Sequence, residues 1–363
     1  MTFAARLLRI AFLVPLLALI AAAGQASPPP VPAAILAPPP TGGGPVLVEA
    51  RFDLADLDRL DEENEIFEFT GTLSLRWIDP RQAFDPAIEG IPEKVFQGAY
   101  QFDEISPGWF PQVVPLNGAG MYEKSGTVLR VRPDGTSTLV ETIVASATCD
   151  LGMRRYPFDR HRLEARFAVL GFAGDEIAFT LPADGGDAVA SRASIPQWKI
   201  RGVSAEVGTR KTGSVEASTY SLTIDVERIP FYVMRLIVLP LALIVTMSFS
   251  VFWMDRSSLG DRINVSFIGI LTAVAYQIVM GDKLPRIAYV TLIHGFLSLS
   301  FITMCLTVVV NLTVGAMDKR KRFDLGDRID YACRWVFPLA YYGILAIGVT
   351  IIMLSFGADE GAA

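Results

Sequence analysis

Cysteine is scarce in this chain: among 363 residues there are only Cys149, Cys305 and Cys333. The last two fall inside long apolar runs, so Cys149 has no obvious partner and a disulfide framework is excluded. Histidine is scarcer still, with only His161 and His294. No Ser/His/Asp arrangement, metal-ligand spacing or phosphate-cradling glycine loop is present, so neither enzyme chemistry nor a cofactor or metal is expected. A basic surplus is also missing. The formal charge is −6, the wrong sign for a nucleic-acid surface. In excess, instead, are apolar residues: 51 % of the chain, with a mean hydropathy of +0.39, too apolar for a purely soluble protein. The 19 % of charged residues is too many for a purely membrane one, and a mixed architecture follows.

Arg6 and Arg9 precede an apolar run from Ile10 to Ala23, and Gly24-Gln25-Ala26 places small residues around a cleavage point. That layout predicts a secretory signal peptide over residues 1–26. Residues 27–45 are dense in Pro, Ala and Gly, cannot bury a core, and are expected to form a disordered lead-in. From 46 to 228 the pattern is that of strands. Apolar and polar residues alternate over Val46–Leu54, Ile66–Trp77, Thr127–Val131, Ser137–Ala145, Arg162–Val169, Gln197–Glu206 and Tyr220–Val226. Turn signals such as Arg132-Pro133-Asp134-Gly135 separate them, which predicts an all-β, immunoglobulin-like sandwich, exported and able to bind or sense something.

After Arg228-Ile229-Pro230 the composition turns apolar, and residues 229–357 are predicted to form a membrane domain. Four stretches are long enough to cross a bilayer, at about 231–254, 262–281, 287–312 and 333–356. Residues 313–331 read as a basic loop carrying Lys319, Arg320, Lys321, Arg322 and Arg328, which marks the cytoplasmic side; a short tail, 358–363, follows the last span. Signal peptide and basic loop agree on orientation: sandwich outside, loop inside. The secretory start then implies a multi-pass membrane protein with its N-terminal domain on the far side of the membrane.

The second span is the unusual one. Asp261 and Arg262 close one end and Asp282 and Lys283 the other, with no charge between Arg262 and Asp282. Asn264, Ser266, Thr272, Tyr276 and Gln277 interrupt its apolar run, and a lipid-facing anchor has little use for such groups. At helical spacing, Asn264, Ile268, Leu271, Ala275, Ile278 and Asp282 share one face. That face is polar at its ends and apolar in the middle, as suits a water-filled tube with a greasy waist.

Several motifs carry a family resemblance. They are Trp77-Ile78-Asp79-Pro80-Arg81; Trp109-Phe110-Pro111 with Asn117, where Gln112 replaces the usual acid; Tyr156-Pro157-Phe158-Asp159; Arg228-Ile229-Pro230 with Pro240; and Leu284-Pro285-Arg286. In this order, from about Val46 to the end, the chain resembles the pentameric ligand-gated ion channels of the Cys-loop superfamily, most closely the bacterial type without the loop disulfide. Cys149 stands where the animal receptors have the first loop cysteine, but Leu163 stands at the second.

The resemblance implies a homopentamer in membrane lipid, each subunit giving its second helix to a central pore. Asp261 would then form an anionic ring at the inner mouth, with Arg262 turned away from the axis and Asp282 making a second ring outside. Such rings imply selectivity for monovalent cations. Ile268, Leu271, Ala275 and Ile278 would form the apolar waist, with Leu271 and Ile278 as the gate. Tyr156, Pro157, Phe158, Asp159, Arg228, Pro285 and Arg286 would couple sandwich to pore, Asp159 and Arg228 as an interdomain ion pair.

The family's aromatic ligand box maps onto Leu116 and Leu170, with Phe172 two residues on, and the hairpin at 207–218 has no aromatic residue. An amine agonist is therefore not expected; a proton, a divalent ion or another small molecule remains, with the loop acids Glu62, Glu63, Asp175 and Glu176 as candidates. The competing reading is a non-conducting, membrane-anchored periplasmic sensor, which would not need Asp261 and Asn264 at the end of one helix. A secondary transporter would have more spans and internal repeats.

Overall fold

The computed structural model describes residues 37–98, 102, 108–183, 195–212, 215–255, 259–281, 284 and 289–360. The expected signal peptide lies outside the described residues, as do Asp282, Pro285 and Arg286.

The described residues of the N-terminal half hold ten strands: β1 (Val46–Asp61), β2 (Ile66–Ile78), β3 (Lys94–Gln97), β4 (Val113–Pro115), β5 (Gly118–Val131), β6 (Thr136–Thr148), β7 (Arg160–Val169), β8 (Ile177–Thr180), β9 (Trp198–Thr212) and β10 (Val215–Arg228). They form a six-stranded sheet, β3-β5-β6-β2-β1-β8, and a four-stranded sheet, β4-β7-β10-β9. Phe52 of the first sheet stacks on Phe167 of the second, and Phe69 meets the same ring edge-on. The Phe52 N–H donates to the Tyr220 hydroxyl across the gap at 3.0 Å, so this core is pinned as well as packed. β3, β4 and β8, which alternation did not disclose, have only three or four residues, too few to show a period of two.

Two of the sequence motifs act as rivets in this frame. Asp79 is fully buried; its carboxylate accepts from Arg81 Nε at 2.8 Å and Nη2 at 2.9 Å. The neighbouring turn requires glycine at position 135. Its φ is +81°, and a Cβ there would lie 2.4 Å from the Asp79 carbonyl oxygen. Asn117 accepts from the Arg166 N–H at 2.9 Å and donates to the carbonyls of Glu164 at 2.7 Å and Thr148 at 3.0 Å. One side chain thereby ties β6 to β7.

Below the sandwich are four helices long and apolar enough to cross a membrane: α1 (Phe231–Trp253), α2 (Leu259–Gly281), α3 (Leu292–Lys319) and α4 (Phe323–Glu360). The basic segment 313–331 is therefore not a loop. α3 runs through its first half and α4 through its second, leaving residues 320–322 between them. Lys and Arg are good helix formers, so a charged stretch that ends a span need not end the helix. The third span likewise begins at Leu292, five residues later than its apolar run, and the fourth at Phe323, ten residues earlier.

Proline shapes α1. Pro240 has no N–H for the Leu236 carbonyl four residues earlier, and residues 234–238 widen into a π-helical segment there. The Tyr276 hydroxyl of α2 donates to that carbonyl instead, so the irregularity in α1 is satisfied by the pore-helix candidate.

Candidate functional site

Within one subunit α2 has two distinct sides. Arg262, Ser266 and Ala273 are buried against the other helices. Asp261, Asn264, Ile268, Leu271 and Ala275 are exposed, as is Ile278, with Leu271 70 % open. The described residues of the face read from helical spacing lie in the uncovered part of α2, which also takes in Phe267, Thr272, Gln277 and Val279. Within the subunit 17 % of the apolar stretch of α2 is buried, against 44 % for α3 and 6 % for α4. Polar contacts fix the rotation of α2: Asn311 of α3 donates to Ser266 Oγ at 3.1 Å, and Ser266 back-bonds to the Arg262 carbonyl at 3.0 Å.

The inner end of α2 is held by a second set of contacts. Arg262 Nη1 and Nη2 reach the two carboxylate oxygens of Asp330, on α4, at 3.0 and 2.9 Å. Its Nε donates to the Val251 carbonyl at the end of α1 at 3.1 Å, and Arg334 Nε does the same for Phe252 at 2.8 Å. Two guanidinium groups therefore cap the C-terminal carbonyls of α1, where positive charge is favoured. Nothing in the local pattern announced Asp330, because its partner lies 68 residues away.

At the other end of the bundle, Asp159 and Arg228 are both buried, with Arg228 Nε and Nη2 on the two carboxylate oxygens at 2.8 and 3.1 Å. The pair does not bridge two domains, as the resemblance had implied. Asp159 directly precedes β7 and Arg228 ends β10, so it joins two neighbouring strands of one sheet at their membrane ends. Arg228 Nη1 also meets Glu62 at 2.6 Å, which removes Glu62 from the loop acids that are merely solvated. His161 Nε2 lies 2.6 Å from Asp159 Oδ2, and the guanidinium sits over the rings of Trp198, at 4.1 Å, and Tyr156, at 4.6 Å. Burial alone would raise the Asp159 pKa. Hydrogen bonds from His161 and Arg228, with the nearby positive charge, outweigh it and hold the carboxyl below its usual range. A cavity of about 610 Å³ lies against this cluster, lined by Asp61, Glu62, Tyr156, Trp198, Arg228 and Tyr232.

Among the described residues, one contact that does cross from membrane domain to sandwich is Tyr289, which sequence reasoning missed. Its hydroxyl accepts from the Met153 N–H at 2.8 Å and donates to the Leu151 carbonyl at 3.2 Å. Both partners lie in the loop between Cys149 and Leu163. Cys149 itself is a free, half-buried thiol, pushed up to about 12 chiefly by burial. Leu163 is a fully buried core residue opposite Ile224. In Tyr289→Phe the ring stays beside Arg154 and only the hydroxyl is lost. The Met153 amide then loses its acceptor, at a cost of about 1–3 kcal/mol. Its hydrogen exchange should accelerate by tenfold or more while the sandwich core is unchanged; an unchanged Met153 amide would remove Tyr289 from the coupling path.

Within one subunit the proposed ligand residues Leu116 and Leu170 lie apart. Leu116 donates its N–H to the Arg166 carbonyl and Leu170 donates to that of Gln112, which sets them at opposite ends of the short β4–β7 pairing. Phe172 packs edge-on against Trp109, with ring centroids 6.3 Å apart. None of the three lines the cavity of about 900 Å³ bounded by Phe102, Phe110, Tyr122, Lys124 and Glu141. An alignment of positions along the chain says nothing about which side of a strand or loop is concave.

A β-sandwich on four membrane-crossing helices, one of them leaving an acid-tipped apolar face uncovered, defines a receptor-channel architecture. Residues 34–232 match the neurotransmitter-gated ion-channel ligand binding domain, and residues 237–324 match the neurotransmitter-gated ion-channel transmembrane region. The chain belongs to this family of ligand-gated ion channels.

Proposed function

We propose that five copies of this chain close around α2 as a cation-selective channel of a bacterial inner membrane, with the sandwich, residues 46–228, in the periplasm as the sensing domain. One observation carries the reading: Asp261 and Asn264 share an exposed helix face with Ile268, Leu271, Ala275 and Ile278, while Arg262 is turned fully inward. An open face that carries Asp261 and Asn264 is ill suited to lipid, and identical neighbours in a ring would flank it on both sides while leaving the middle to water. Asp261 then attracts cations at the inner mouth, with Asp282 placed by the resemblance at the outer one. Ile268 to Ile278 is the stretch that dewets when closed, and Leu271 and Ile278 are its gate. Stimulus at the sandwich shifts a closed–open equilibrium through the loop of Tyr156 to Asp159, through Arg228 and through the α2–α3 linker that holds Pro285 and Arg286. The effector is a small molecule, a proton or a divalent ion.

Asp261→Lys tests selectivity. Under a salt gradient in planar bilayers the wild-type reversal potential should approach that of the permeant cation, and the variant's should move to zero or change sign. An unchanged value removes the ring from the selectivity mechanism. Absence of current under every effector class, in an assembled wild-type pentamer, would favour the non-conducting sensor.

A further inference from the structure

Asp261 and Arg262 are adjacent and opposite in sign. An ion at the inner mouth that felt both would meet a ring of no net charge. The structure separates the two fates. Asp261 is exposed, whereas Arg262 is 0 % exposed and bound by both nitrogen arms to Asp330, itself 3 % exposed. We propose that Asp330, on α4, is a selectivity-determining positioning residue: it cancels the charge of Arg262 inside each subunit and leaves Asp261 uncompensated. This rests on the cation-selective reading of Asp261.

The physical reason is distance and dielectric. Charges within a few ångströms of each other in a poorly solvated site cancel as a dipole, and an ion beyond them feels little of either. A lone buried guanidinium, next in sequence to the ring, would be screened much less than an exposed charge and would oppose Asp261 at the ion. The pair's fork geometry also holds Arg262 away from the exposed face, since Nε is committed to the Val251 carbonyl. The counter-charge thus comes from α4, a different helix from the one that carries Arg262. Arg334 makes no such demand on the ring: its Nε caps α1 one residue further along, at the Phe252 carbonyl.

The test is the reversal potential of full-length channels in planar bilayers under a sodium chloride gradient. Asp330→Asn should move it at least about halfway from the wild-type value toward zero, because Arg262 then opposes Asp261. Arg262→Gln with Asp330→Asn keeps two amides in place of the ion pair and should return wild-type selectivity and wild-type conductance. A merely structural role for Asp330 would lower yield or thermal stability and leave the reversal potential where it was. An Asp330→Asn channel that conducts with the wild-type reversal potential overturns the inference. Should that variant fail to assemble, the double variant decides. Wild-type conductance supports cancellation, and a raised cation conductance, as if a positive charge had been lifted from the mouth, overturns it. Asp261→Asn separates the two readings. If it shifts the potential while Asp330→Asn does not, this inference alone fails; if it does not shift it, the ring reading and this inference fall together.

Discussion

Leu271→Ser channels should pass current with no effector present. Leu271 is 70 % exposed on the uncovered face of α2, at the centre of the apolar stretch from Ile268 to Ile278. Water leaves a narrow apolar tube because it loses hydrogen bonds there and gains nothing in return. Exchanging the isobutyl group for a hydroxymethyl removes roughly 1–2 kcal/mol of water-averse surface per subunit. Five copies act on one column of water, so the closed state loses on the order of 5–10 kcal/mol of its advantage. Even a third of that exceeds the roughly 1.4 kcal/mol that changes an equilibrium tenfold. Resting current in the variant, graded with the fraction of mutant subunits in mixed pentamers, is the measurement. Channels as silent at rest as the wild type would place Leu271 against lipid or a neighbour.

Breaking the Asp159–Arg228 pair should be the largest loss. Arg228→Gln leaves Asp159 and Glu62 facing each other without the cation both of them bind, and removes the charge from the Trp198 and Tyr156 rings. Removing one member of a buried pair costs about 3–5 kcal/mol, enough to empty most of a marginal folded population. Asp159→Asn should cost less, since Glu62 remains to Arg228. The double variant should be milder than the sum of the singles by about 1–3 kcal/mol, read from denaturant or thermal unfolding of the pentamer. Strict additivity would mean that the two side chains do not act on each other. The pH behaviour follows from the lowered pKa of Asp159. Its stabilisation is complete above the ordinary carboxylate value of about 3.9 and is lost only as pH falls through the lower folded value. Mild acid therefore leaves this carboxylate charged, and an activating proton would have to act at another group.

Much of the architecture was legible along the chain because it rests on short periods. Leu73 and Leu75 are buried while Ser74 is not, and that pattern alone announces β2. Leu271 and Ile278 lie on one side of α2 for the equally local reason that they are seven residues, about two helical turns, apart. The partners that hold those elements in place were not legible. Asp330 reaches Arg262, Tyr289 reaches Met153, and Tyr276 reaches the carbonyl freed by Pro240, each from another element. No local rule selects such a partner. Helix ends were blurred for the opposite reason: charge marks where a membrane stops, and α3 continues past Asn311 through Lys319 because backbone hydrogen bonds do not need lipid.

The amino-acid order by itself determined that this chain makes a sandwich, then four spans, and that one span carries an acid-tipped apolar face, since burial patterns of period two and 3.6 are properties of neighbouring residues. Only the tertiary structure decided which charges remain free to act. Arg262 vanishes into Asp330, Glu62 into Arg228, and Asp261 stays exposed. The field met by an ion or ligand is the sum left after pairing in three dimensions, and pairing is set by distance in space, not along the chain.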